Sequence, residues 1–225
     1  MNRRTFLAAG SAAVATSALA LNPPRKLRVG VIGHTGRGDY GHGWDTVWLK
    51  LPDTEIEAVA DAHVTGLANA RKRLQVPQGF ADYREMLRKV KLDIVAVCPR
   101  HADQHHDITL AAIEAGVRGI YIEKPFVRTP AEVDSLTAAC NKHGTKIAIA
   151  HRNRWHPMLA VIDQFIADGH LGKILEIRGR GKGDRRGGGE DLWVLGSHVL
   201  NLIHYFGGKP LTLSLIHISE PTRPY

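Results

Sequence analysis

From Leu27 to His151 the chain repeats one pattern: a short run of branched apolar residues, then a stretch with the spacing of a helix. The runs LRVGVIG (27–33), EIEAVAD (55–61), LDIVAVC (92–98), VRGIYIE (117–123) and TKIAIAH (145–151) read as strands buried on both faces. Strands of that kind belong to parallel sheets covered by helices on either side. Between them the sequence predicts a loop and helix up to about Lys50, a helix through Arg71, and a short helix at DYREMLRK (82–89). Two more follow: DITLAAIEAG (107–116), closed by Gly116, and PAEVDSLTAACNKHG (130–144), with Pro at its first turn and Gly at its end. The fold class is therefore α/β, a doubly wound parallel sheet over residues 25–150. Its ligand crevice is expected at the C-terminal ends of the strands.

After His151 the pattern changes. A helix at HPMLAVIDQFIADGHLG, a half-exposed strand at KILEIRGRGK, a Gly/Arg loop and a second helix at LWVLGSHVLNLIHYFGG read as the start of an α+β domain over residues 151–212. The two ends carry other signals. Arg3 and Arg4, the weakly apolar stretch to Leu21 and the Ala18-Leu19-Ala20 site read as a twin-arginine export signal over residues 1–20. Its apolar part is shorter than the ~20 residues a membrane-spanning helix needs. Residues 213–225, with LSLIHISEPTR, resemble translated sequencing adapter and are expected to be a non-native tail. Cys98 and Cys140 lack metal or C-x-x-C spacing and are expected to be buried thiols.

The glycine-rich stretch VGVIGHTGRGDYGHGWD (29–45) follows the first strand, where a dinucleotide-binding turn belongs. Counted from Gly33, Thr35 stands at the middle glycine and Gly38 at the third. The register from Gly36 would push the strand beyond its apolar run. Gly33, Thr35, Gly36, Arg37 and Gly38 are thus the phosphate-side candidates, with free amides expected at the N-terminus of the next helix. Asp61 ends the second strand, 28 residues after Gly33, and is expected to accept from the ribose hydroxyls, which favours NAD, with NADP the alternative. It is also suited to cap the following helix.

A strand delivers Glu123 and Lys124, in YIEKPF (121–126), to the edge of the crevice. Lysine is rarely buried without a partner, and beside a nicotinamide its pKa would fall toward working pH.

Taken together, the Gly-rich loop, Asp61, DYREML, Pro99, AAIEAG, EKP, NRWHP and GSHVLNL resemble the Gfo/Idh/MocA oxidoreductase family, over residues 27 to about 212. The resemblance implies a Rossmann domain followed by an α+β domain that supports the substrate site and homo-oligomerisation. It also implies NAD(P)-dependent redox chemistry on sugars, polyols or their derivatives. Members of that family are considerably longer, so the second domain is expected to be incomplete here.

Residue by residue, the resemblance makes Lys124 and His198 the catalytic pair. Pro99, Glu123 and Lys124 line the cofactor, and Arg154, Asp191 and Asn201 lie toward the substrate. The family's aspartates four residues before and three after the histidine are here Val194 and Asn201. Asp191, about two helical turns before His198, lies on the same face.

The histidines of PRHADQHH lack carboxylate partners, and no metal site is expected there. The run Arg178, Arg180, Lys182, Arg185 and Arg186 reads as a solvated loop, and the lack of interleaved aromatics argues against nucleic acid despite the net charge of +8. The expected function is hydride transfer between a tightly held nicotinamide and a sugar, polyol or glycoside hydroxyl, in an exported protein. The competing expectation is a nucleotide-retaining protein that binds a glycan or a partner without catalysis.

Overall fold

The computed structural model describes residues 25–180 and 194–212. The export signal, the tail after residue 212, Asp191, Lys182, Arg185 and Arg186 lie outside the described residues.

Six strands form one parallel sheet: β1 Leu27–Ile32, β2 Thr54–Ala60, β3 Gln78–Phe80, β4 Ile94–Val97, β5 Gly119–Ile122 and β6 Lys146–Ile149. Their spatial order is β3-β2-β1-β4-β5-β6, so the direction of winding reverses between β1 and β4. That reversal opens a crevice at the C-terminal edge. β3 was not foreseen, because three residues at a sheet edge are too few to display a period.

Alternate residues of each strand bury on opposite faces. Ile32, Ala60, Val95, Val97, Ile120 and Ile122 meet α2 (Tyr83–Lys89), α3 (His105–Glu114) and α4 (Pro130–His143). Val29, Val31, Val59 and Ala96 face the other way, toward α1 (Val64–Leu74) and the aromatic residues Tyr40 and Trp48. The helix ends follow local chemistry. The Asp82 carboxylate accepts from the Arg84 amide, the Thr129 hydroxyl accepts from the Glu132 amide, and Gly144 closes α4 at a φ of 73°.

The helix expected between Gly33 and Lys50 does not form; only a single 3-10 turn, Val47–Lys50, appears there. The cause is the backbone. Gly36, Gly38, Asp39, Gly41 and Gly43 all take positive φ, which a right-handed helix cannot accommodate. Aromatic packing covers the sheet face instead, with Trp44 and Trp48 edge-on to Tyr121 at 5.4 and 5.9 Å.

Beyond β6, α5 (Met158–Ala167) and α6 (Gly196–Gly207) occupy the predicted helical stretches. The predicted strand at KILEIRGRGK is not one over residues 173–180. A strand needs a ladder partner; this segment lies on α6, where Gly179 approaches Val199 so closely that a Cβ would sit 2.2 Å from it.

Candidate functional site

The C-terminal edge of the sheet carries the loops expected to bind ligand, and the Gly-rich loop lies down across it. Gly33 has Tyr40 over it: a Cβ there would stand 2.2 Å from the Tyr40 ring. Gly38, at a φ of 88°, passes the Arg100 amide at a distance only a glycine tolerates. Most loop amides donate inward: Gly33 to the Ala60 carbonyl, His34 to that of Asp39, Arg37 to that of His34, and Gly36 to the Asp39 side chain. The expectation of free amides at a helix N-terminus is therefore corrected. No α-helix follows the loop directly, and Gly33, Gly38 and Gly41 serve close approach of the chain to itself.

Asp61 holds this loop. It is 1% exposed, and its carboxylate accepts from the Thr35 hydroxyl at 2.6 Å, the Tyr40 hydroxyl at 2.9 Å, the His63 amide at 2.9 Å and the Thr35 amide at 3.2 Å. Burial by itself would raise its pKa. The Thr35 hydroxyl, the His63 amide and the Tyr40 hydroxyl outweigh that and hold the pKa below the usual carboxylate range. The helix cap is His63, whose ring accepts from the Gly66 amide. Behind the loop, Arg73 stacks on the Tyr40 ring and grips the buried Asp45 carboxylate through two nitrogens, at 2.9 and 2.7 Å.

Two cavities flank the reversal of winding. One, of about 280 Å³, is lined at the ends of β1, β2 and β3 by Gly33, His34, Asp61, Asp82 and Tyr83, with Gln104 opposite. The other, of about 320 Å³, is lined by His42, Arg100, Glu123, Lys124, Arg152 and His198, among others. A residue of each lining keeps a buried atom without a partner among the described residues, Gln104 Nε2 in the first and His198 Nδ1 in the second. Two cavities lined by polar side chains on either side of the reversal fit a ligand with two polar ends, such as a dinucleotide.

Lys124 and His198 meet in the second cavity although 74 residues separate them in sequence. β5 delivers Glu123 and Lys124, joined to Pro125 by a cis peptide bond. Lys124 is 5% exposed, and its Nζ donates to the Val194 carbonyl at 3.0 Å, tying the sheet edge to the start of α6. His198, two residues into α6, lies edge-on to His151 at 5.9 Å. Burial, then the charges of Lys124 and His151, push its pKa down to about 4 against the opposing pull of Glu123. Burial and Lys124 lower that of His151 too. At neutral pH both rings are uncharged, and a neutral imidazole beside a lysine can accept a proton from a hydroxyl.

Other predicted residues fall elsewhere. Arg37 pairs with Asp103 across the mouth of the loop. Pro99 is buried; its carbonyl oxygen lies 2.6 Å from His105 Nε2, while His105 Nδ1 lies 2.8 Å from the Phe126 carbonyl. Arg154 stacks on Tyr205 at 5.0 Å rather than lining the second cavity. Asn201 Oδ1 is buried without a partner among the described residues. Sequence reasoning missed His42, Trp44, Arg100, Arg152 and Asn153, all of which line the cavity. A histidine set between glycines in the loop was the available signal for the first of these.

A family model described as "Oxidoreductase family, NAD-binding Rossmann fold" matches residues 27–151. D-apiose dehydrogenase of Paraburkholderia graminis is 28% identical over 137 residues, 61% of this chain and 36% of that protein. Levoglucosan dehydrogenase of Pseudarthrobacter phenanthrenivorans is 29% identical over 124 residues, 55% of this chain and 31% of its own length. The match thus spans about a third of these curated relatives. Among solved structures, scyllo-inositol dehydrogenase of Lactobacillus casei with bound NAD(H) and scyllo-inositol superposes with a TM-score of 0.68 at 18% identity, covering 81% of this chain and 56% of that one.

Proposed function

The chain belongs to the Gfo/Idh/MocA family of oxidoreductases with an NAD-binding Rossmann fold, and from that premise we propose that the protein transfers hydride between NAD(H) and a hydroxyl-bearing carbon of a sugar, polyol or glycoside. One observation carries this reading: Lys124 and the neutral His198 converge in a single cavity at the C-terminal edge of the sheet. The similarity to dehydrogenases of D-apiose and levoglucosan supports the substrate class.

A bound nicotinamide supplies the hydride acceptor. Asp82 and Gln104 would hold the adenosine end, and the nicotinamide would lie in the second cavity beside Lys124. On the protein's side, Lys124 orients the substrate hydroxyl by donating to its oxygen, and His198 takes the hydroxyl proton as the carbonyl forms. The Lys124 bond to Val194 fixes the ammonium and keeps α6 against the sheet.

Arg3, Arg4 and the alanine-rich stretch after them support export by the twin-arginine route, which carries proteins already folded around their cofactors. Among the described residues no helix is long and apolar enough to cross a membrane.

The test is direct. The purified protein is titrated with NAD⁺, then with apiose, levoglucosan and inositols, and reduced-nicotinamide absorbance is followed. Binding of NAD⁺ and reduction by at least one polyol is the expected result. Binding with no sugar-dependent reduction would instead support a nucleotide-retaining binding protein. Cell fractionation of wild type against Arg3→Lys/Arg4→Lys tests export.

A further inference from the structure

The Gly-rich loop ends on a group that neither the fold nor the hydride transfer above has used. Gly41, at a φ of 62°, brings the chain down onto the end of β5, so that a Cβ there would lie 2.5 Å from Glu123 Oε2 and 2.8 Å from the Cys98 carbonyl oxygen. That approach delivers His42 to the buried carboxylate, with its Nδ1 at 2.8 Å and its amide at 3.2 Å from Oε2. Trp44 Nε1 donates to the same oxygen at 2.7 Å, and the Lys124 amide donates to Oε1 at 2.9 Å.

The His42 amide, the indole and the Lys124 amide can only donate, so Glu123 accepts with both oxygens. His42 Nδ1 must carry its proton to join them, which leaves Nε2 of the neutral ring with a free lone pair. The Glu123 side chain has no exposed surface, whereas 51% of the His42 side chain is exposed. His42 thus has a carboxylate behind it, the cavity of Lys124 and His198 beside it, and water in front.

We propose that His42, oriented by Glu123, is a proton-transfer residue of this cavity, carrying the substrate's hydroxyl proton between the site and solvent. The proposal rests on the hydride-transfer reading. In the oxidation, the O–H bond breaks, His198 takes the proton as described above, and the proton then leaves the shared cavity through His42 Nε2. The C–H bond breaks with its electron pair leaving as hydride to the dinucleotide, and the freed O–H pair forms the carbonyl. The imidazolium gives its proton to water on its exposed side; the reduction runs the same steps backward.

Lys124, His198, Arg100 and Arg152 share the cavity with His42, and each is or can become cationic. Among the described residues Glu123 is the one acid lining it, and it is in contact with His42. It is a positioning residue: it fixes the tautomer and steadies the imidazolium against those cations.

The experiment uses the full chain as His42→Ala and His42→Gln, with NAD⁺ affinity measured by tryptophan quenching as the check on folding. Both variants are expected to keep NAD⁺ affinity within a few-fold and to lose about 10²–10⁴-fold in kcat. Added imidazole should restore a large part of the His42→Ala loss, with a pH dependence that follows neutral imidazole. In the cofactor-free wild type, nitrogen NMR of His42 should show the proton on Nδ1. Unchanged kcat in both variants, a loss that imidazole cannot restore, or a proton on Nε2 would overturn the proposal while leaving hydride transfer standing. A wild type that binds no dinucleotide and oxidises no polyol would remove the hydride-transfer reading and this proposal with it.

Discussion

Tyr40→Phe isolates the contact that closes the Gly-rich loop. The ring stays in place over Gly33, and only the hydroxyl that donates to Asp61 Oδ2 at 2.9 Å is lost. A hydrogen bond to an ionised group contributes about 1.5–3 kcal/mol. Asp61 keeps its bonds from Thr35 and from the His63 amide, so no buried oxygen is orphaned, and the expected loss is at the lower end, about 1.5 kcal/mol. For a chain of this size that is a fall of roughly 3–6 °C in Tm.

The effect must also depend on pH. Asp61 is held below its unfolded pKa of about 3.9, so its contribution is fully present above that pH and drains away as the pH falls through the folded value. Tyr40→Phe raises the folded pKa, so the gap between variant and wild type should narrow in acid. There a neutral–neutral bond contributes only about 0.5–1.5 kcal/mol. Urea denaturation followed by tryptophan fluorescence, from about pH 7 down to about pH 2, measures both quantities. A variant as stable as wild type at neutral pH, or a deficit that does not change with pH, would refute the role given to Asp61.

Three further outcomes follow from the same geometry. Gly36→Ala and Gly41→Ala both place a side chain at positive φ, at about 1–2 kcal/mol each, but only Gly41 has atoms in the way; Gly41→Ala should therefore be the more destabilising by denaturant melt, and equal losses would contradict the packing described. His198 should titrate near pH 4 by NMR, and because its folded pKa is lowered its contribution to stability is full above about pH 6.5 and lost toward 4, so a midpoint near 6.5 would contradict its burial beside Lys124. Lys124→Met should lower kcat by about 10²–10⁴-fold with a much smaller change in NAD⁺ affinity; the opposite split would assign the lysine to cofactor binding alone.

Much of the sheet was legible in the chain itself. Runs such as Val29 to Ile32 and Ile94 to Val97 are apolar at consecutive positions because helices cover both faces, and that pattern predicts parallel strands without any knowledge of their order. Gly116 and Gly144 were readable as helix ends for an equally local reason, since only glycine relaxes easily into the left-handed conformation found there. Lys124 could be placed at the crevice because it stands at the end of a buried strand.

The loop was read wrongly for a reason of the same kind. Five positive-φ residues rule out a helix, but the course of the loop is set where it packs against distant residues, Gly38 on Arg100 and Gly41 on Glu123. Asp61 was found by its spacing, yet the direction of its carboxylate depends on where Tyr40 and Thr35 stand after folding. His42 and Glu123 are 81 residues apart and meet only because β5 and the loop end at the same edge of the sheet. Periodicity and turn chemistry act over a few residues, so five of the six strands, the helix ends and the residue types at the crevice could be read in advance, but neither β3 nor the missing strand at residues 173–180 could. Hydrogen bonds between distant segments have no local signature, and which crevice residues face one another is a property of the folded chain alone.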